Sequence, residues 1–125
     1  VVAVLGGLIN KELVRDLNKL GARAAGISGA DAGLLQAVIK DPDLGYVGSI
    51  IHVDPLIVET VIAAGCIPVI APVATAVDDD PDFAGSLLNI NADTAAGEIA
   101  AALNASRLIF LTDVEGVLDS SRHDS

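Results

Sequence analysis

The sequence predicts an α/β fold in which a largely parallel sheet is covered by helices. Hydrophobic residues make up 52% of the 125 positions, yet aromatics contribute only 2%. The core is therefore built from Val, Ile, Leu and Ala. Short β-branched runs alternate with alanine-rich helical ones, which favours sheet and helix layers over a sandwich or a bundle. Three strand-then-helix steps follow one another, as parallel neighbours require. The length suits one domain.

Taken in order, "INKELVRDLNKLGAR" reads as an amphipathic helix. Ile9, Leu13, Leu17 and Leu20 form its apolar stripe, Val14 broadens it, and Asn10 is the candidate cap. "ARAAGIS" then makes a short strand ending at Ser28-Gly29. In "ADAGLLQAVIKDPDLGYVGSIIHVD", Asp31 has the chemistry of a helix cap, while Leu35, Ala37 and Ile39 alternate as a strand does. A hairpin turning through "KDPDLG" on Pro42 and Gly45 is the preferred reading. "DPLIVETVIAAG" has Asp54 as N-cap and a proline at the first helical position. It is apolar nearly all round and should be well buried. "CIPVIAPVA" follows as a buried strand. "VDDDPDFAGS" reads as a solvated hairpin tip, because its consecutive aspartates lack any defensible metal-ligand spacing. "LLNIN" is extended, a helix begins near Ala92, and "RLIFLTD" is a further strand.

The formal net charge of −10, with only seven Lys and Arg, argues against nucleic acid or an anionic membrane as partner. Prolines 68 and 72 and Thr75 interrupt the longest apolar run, which is far short of the ~20 residues of a spanning helix. No secretory leader is expected, since the apolar start lacks a basic stretch and runs into "NKELVRDL". Cys66, the single cysteine, excludes an internal disulfide, fits a reducing compartment and reads as a buried structural thiol. His52 lies in an apolar strand and reads as structural, and His123 lies in the final tail.

Two stretches could carry chemistry. In "LLNINADTAAGEIAAAL", Asn89, Asn91 and Asp93 alternate before a helix whose cap needs only one of them. Asn91 or Asp93 can cap, with Asp93 complementing the helix dipole. In an extended strand, Asn89 and Asn91 share a side. The three residues are either a plain cap or a donor-rich corner for a carboxylate or phosphate. In "LIFLTDVEGVLD", an aliphatic strand ends at Thr112-Asp113 before a turn at Gly116. Polar residues there lie where open α/β sheets bind ligands, and an ordinary strand-end turn is the alternative. Asp113 has the chemistry to accept a ribose hydroxyl.

These motifs, together with "LGGLINKELVRDLNKLGARAAGISGADAGLL", "DLGYVGSIIHVDP" and "AGCIPVIAPV", resemble the acetylglutamate kinases of the amino acid kinase family. The resemblance runs through most of the chain and implies a three-layer α/β/α sandwich with a mainly parallel sheet. Residues 1–125 would form a single, partial domain of that fold. It also implies transfer of the ATP γ-phosphoryl group to the side-chain carboxylate of N-acetyl-L-glutamate, in arginine biosynthesis. By that resemblance, Asn89 contacts acetylglutamate and Asp93 orients two catalytic lysines. Asp113, Val114, Glu115, Gly116, Val117 and Leu118 would line the nucleotide pocket. ATP enters with Mg2+, for which no protein ligands are identified. A homo-oligomer, a nitrogen-signalling regulatory partner, and a cytoplasmic (or, in a plant or alga, plastid) location are further implications.

The family's Lys-x-Gly-Gly loop, Gly-rich substrate loop, Asn-Gly-Leu-Arg segment and second catalytic lysine match nothing in these residues. Lys11 does not match a catalytic position. The 125 residues alone are therefore expected to be inactive, since charge stabilisation dominates such transition states. Ala32 stands where the family commonly has glycine, and "ATAVDDDPDFAGSLL" is longer than its usual hairpin. Two other functions remain open at this point: a non-catalytic nucleotide- or effector-binding module, and an amino acid kinase with a different substrate.

Overall fold

In the computed structural model, residues 3–112 are described. A π-helical segment, Ala3–Ile9, runs directly into helix α1, Asn10–Lys19. Because Ile9 is itself helical (φ −63°, ψ −43°), no helix end exists at Asn10 for that residue to cap. Asn10 instead lies against the sheet, 4% exposed. Of the expected stripe, Ile9, Leu13 and Leu20 are exposed, while Val14 and Leu17 are half-buried and continue from Asn10 at helical spacing.

Strand β1 (Ala24–Ser28) pairs in parallel with β4 (Ile67–Ala71), Ala24 opposite Ile67 and Ser28 opposite Ala71. A second sheet has the order β3-β2-β5-β6. In it β2 (Leu35–Ile39) and β3 (Gly48–Val53) form the expected hairpin, antiparallel. Asp41 Oδ1 accepts from the Asp43 N–H (3.0 Å) to shape its turn. Strand β5 (Val73–Ala76) runs parallel to β2, and β6 (Leu87–Asn89) runs antiparallel to β5. The result is the expected α/β class, with parallel and antiparallel ladders both present.

"CIPVIAPVA" is thus two strands in two sheets, broken at Pro72, which lacks the N–H that a continuing ladder requires. The sheets meet at Gly29. Its N–H donates to the Ala71 carbonyl (3.1 Å) and its carbonyl accepts from the Leu35 N–H (2.6 Å). A Cβ at this position would collide with the Val73 carbonyl and the Leu35 side chain.

The core lies between the second sheet and the helices. Leu34, Leu35 and Leu88 are fully enclosed, joined by Val58 of α2 (Leu56–Ala63) and by Ala95 and Ile99 of α3 (Ala92–Ala102). Pro55, not Asp54, occupies the cap position of α2, one residue later than the sequence places it, and Asp54 Oδ1 accepts from the Leu56 N–H (3.1 Å) just ahead of the helix. That helix is not buried all round. Val58 is its buried residue, while Leu56 and Ile62 are 60% and 51% exposed. Helix α2 packs on β4 by one face only, which leaves the others open.

The expected strand "RLIFLTD" does not form over 107–112. A strand needs a neighbour for its N–H and C=O groups, and residues 103–112 join neither sheet. Leu108 lines an apolar groove with Pro68 and Ile70 of β4 and Ala95 and Ile99 of α3. Leu111 is 96% exposed. Among the described residues no helix is long and apolar enough to cross a membrane. Cys66 is half-buried and unbridged, and His52 is exposed on β3 opposite Gln36.

Candidate functional site at the β6–α3 junction

Alternation along β6 decides which way its residues face. Leu88 and Ile90 point into the core, 0% and 6% exposed, so Asn89 between them faces the other side. Its main chain is held on two sides. Asn89 pairs with Val73 of β5, and its N–H donates to the Tyr46 carbonyl at 2.8 Å, beside a parallel bridge to Val47. Among the described residues its side chain makes no hydrogen bond, and its Oδ1 is buried without a partner there.

The strand ends at Asn89, so strand alternation stops short of Asn91. With φ −56° and ψ 126°, Asn91 is the cap of α3. Its Oδ1 accepts from the Thr94 N–H (3.0 Å) and the Thr94 hydroxyl (3.3 Å). Asp93 sits in the first turn, exposed, where the helix dipole favours its charge. The three polar residues thus divide. Among the described residues Asn91 is spent on the helix, Asn89 is half-buried with an uncommitted side chain, and Asp93 is an exposed carboxylate. Lys40, Ser49, Asn91 and Thr94 line a cavity of about 190 Å3 beside the same helix start. Asp113, Val114, Glu115, Gly116, Val117 and Leu118 lie outside the described residues, as does His123.

Two loops frame the junction: the β2–β3 turn and the ten-residue connection 77–86 between β5 and β6. The second carries the four aspartates. Both Asp78 carboxylate oxygens accept from the Ile39 N–H, at 3.2 and 3.1 Å. Asp80 Oδ1 accepts from the Asp82 N–H (2.9 Å). Among the described residues no group of three His, Cys, Asp or Glu could hold a metal ion. At the loop tips Tyr46 and Phe83 meet edge-to-face, centroids 5.9 Å apart and planes at 68°. Tyr46 lies in "DLGYVGSIIHVDP" and Phe83 in "VDDDPDFAGS", but sequence reasoning gives neither ring a role. The available signal is scarcity, since the chain has one tyrosine and two phenylalanines and two of these three rings meet here.

Parallel strands joined through helices, with a capped helix start and an open strand-end amide beside it, define an α/β protein with a ligand-competent corner. The amino acid kinase family model matches residues 1–125, and the chain belongs to that family. It is 50% identical over 121 residues to an acetylglutamate kinase of Cereibacter sphaeroides, covering 97% of this chain and 40% of that protein. Acetylglutamate kinases of Pelotomaculum thermopropionicum and Caldanaerobacter subterraneus are 51% and 52% identical, over 94% and 96% of the chain and 42% and 39% of their own lengths. A crystal structure of smu.665 from Streptococcus mutans UA159 superposes with a TM-score of 0.81 at 31% identity, covering 94% of this chain and 46% of that one. The chain therefore spans about 40% of the curated relatives it matches.

Proposed function

We propose that the whole protein carrying this chain transfers the γ-phosphoryl group of ATP, entering as its Mg2+ complex, to the side-chain carboxylate of N-acetyl-L-glutamate. The observation that carries this reading is the side-chain carbonyl oxygen of Asn89, buried and unpartnered at a strand end. An unmet buried acceptor costs about 1–3 kcal/mol and invites a donor. An N-acyl amino acid offers one in its amide N–H. The chain's relatives named acetylglutamate kinase support that choice.

Asp93 cannot itself neutralise a phosphoryl group, being negative. Its use is to hold cations against the transferring group, and the family resemblance assigns it two lysines from other parts of the protein. Phosphoryl transfer relies on positioning and charge stabilisation, which this arrangement serves. The nucleotide would lie against Asp113, Val114, Glu115, Gly116, Val117 and Leu118. A homo-oligomer in the cytoplasm belongs to the same reading.

Steady-state kinetics on the whole protein tests it. Asn89→Ala is expected to raise the KM for acetylglutamate about tenfold or more, the weight of a hydrogen bond to a site group, while the KM for ATP holds. An unchanged acetylglutamate KM sinks the reading and favours a family member with another acceptor.

A further inference from the structure

We propose that Phe83 and Tyr46 form a positioning pair for Asn89, an aromatic clip that sets the affinity of the acceptor site. The inference rests on the reading of Asn89 as the acceptor contact.

Asn89 is the last residue of a three-residue strand, between the core residues Leu88 and Ile90. Across the sheet its main chain is held by Val73 on one side and the Tyr46 carbonyl on the other. Tyr46 is 53% exposed and contributes little to the core. Its ring meets that of Phe83 edge-to-face. Phe83 is itself locked, because its N–H donates to the Asp80 carbonyl (3.0 Å) and its carbonyl accepts from the Ser86 N–H (2.9 Å). The connection 77–86 is thus fastened to the β2–β3 hairpin at its base, where the Val77 N–H donates to the Ala37 carbonyl (2.8 Å) and Asp78 accepts from Ile39, and at its tip through the rings. A path of direct contacts runs from the Phe83 ring to the Tyr46 ring, then through the Tyr46 carbonyl to the Asn89 N–H. The enclosed core of Leu34, Leu35 and Leu88 includes neither ring, so breaking the clip should move Asn89 without unfolding the domain.

The test is a mutant cycle on the whole protein, with ATP and acetylglutamate varied separately. Phe83→Ala is expected to raise the acetylglutamate KM about threefold to tenfold, with kcat and the ATP KM within about twofold. Phe83→Tyr, which keeps the ring edge, is expected to restore it. Tyr46→Leu, which keeps the carbonyl and loses the ring, is expected to reproduce the Phe83→Ala shift without adding to it. In an Asn89→Ala background, Phe83→Ala should add nothing. Should Asn89→Ala raise the KM while Phe83→Ala leaves it unmoved, the clip proposal alone is overturned. The clip fails equally if Phe83→Ala has the same effect with and without Asn89. An Asn89→Ala enzyme with unchanged acetylglutamate KM overturns the reading of Asn89 and the clip together.

Discussion

Two asparagines, one in each sheet region, share an unusual feature and differ in everything around it. Asn10 and Asn89 each bury a side-chain oxygen with no partner among the described residues. At Asn10 the amide nitrogen is fully engaged, donating to the Ile27 carbonyl (3.4 Å) and the Val69 carbonyl (3.0 Å). It braces β1 to β4 from the helix above them. Gly26 makes room for it, because a Cβ there would collide with the Asn10 oxygen. At Asn89 neither end of the amide is committed, and the residue is only half-buried. An orphaned atom alone does not distinguish a brace from a binding group. What distinguishes them is how much of the rest of the side chain is already in use.

The contrast has measurable limits, best checked by urea denaturation of the whole protein alongside its kinetics. Asn10→Ala removes two hydrogen bonds and leaves a cavity. It is expected to destabilise by about 2–4 kcal/mol with the acetylglutamate KM untouched, and a KM shift as large as that of Asn89→Ala would erase the distinction. Asn91→Ala removes the cap of α3 and should cost about 1 kcal/mol, an intermediate case for a residue spent on secondary structure. Asn89→Leu is the sharpest. Replacing an unmet acceptor by an apolar group of similar size should change stability by no more than about 0.5 kcal/mol, or raise it, while acceptor affinity falls. A loss of about 2 kcal/mol or more would make Asn89 a second brace.

Much of the fold is legible in local pattern. The "KDPDLG" hairpin and the cap before Ala92 each depend on a few adjacent residues and are present, while α2 begins one residue later than its Asp54-Pro55 signal places it. What the pattern misplaces depends on context several residues away. Asn10 reads as a cap but is not one, because the π-helical segment before it carries the helix through Ile9. "CIPVIAPVA" reads as continuous because periodicity does not reveal a change of sheet, although Pro72 marks the place. "RLIFLTD" has strand composition, but its pairing requires a neighbour that composition cannot name. At the candidate site Asn89, Asn91 and Asp93 stand out by spacing, but which of them caps depends on where β6 stops. Tyr46 and Phe83 lie 37 positions apart and meet only because two hairpin connections fold toward each other.

Gly29 has a further use. Its amide hydrogen is bonded to the Ala71 carbonyl and enclosed, while its carbonyl serves the other sheet. Amide exchange at this one residue therefore reads the seam between them. If the two sheets open as a single cooperative unit, the Gly29 proton will exchange only as slowly as the most protected amides of β2 and β5. If they part first, it will exchange earlier than either, and the seam becomes the line along which the domain begins to unfold.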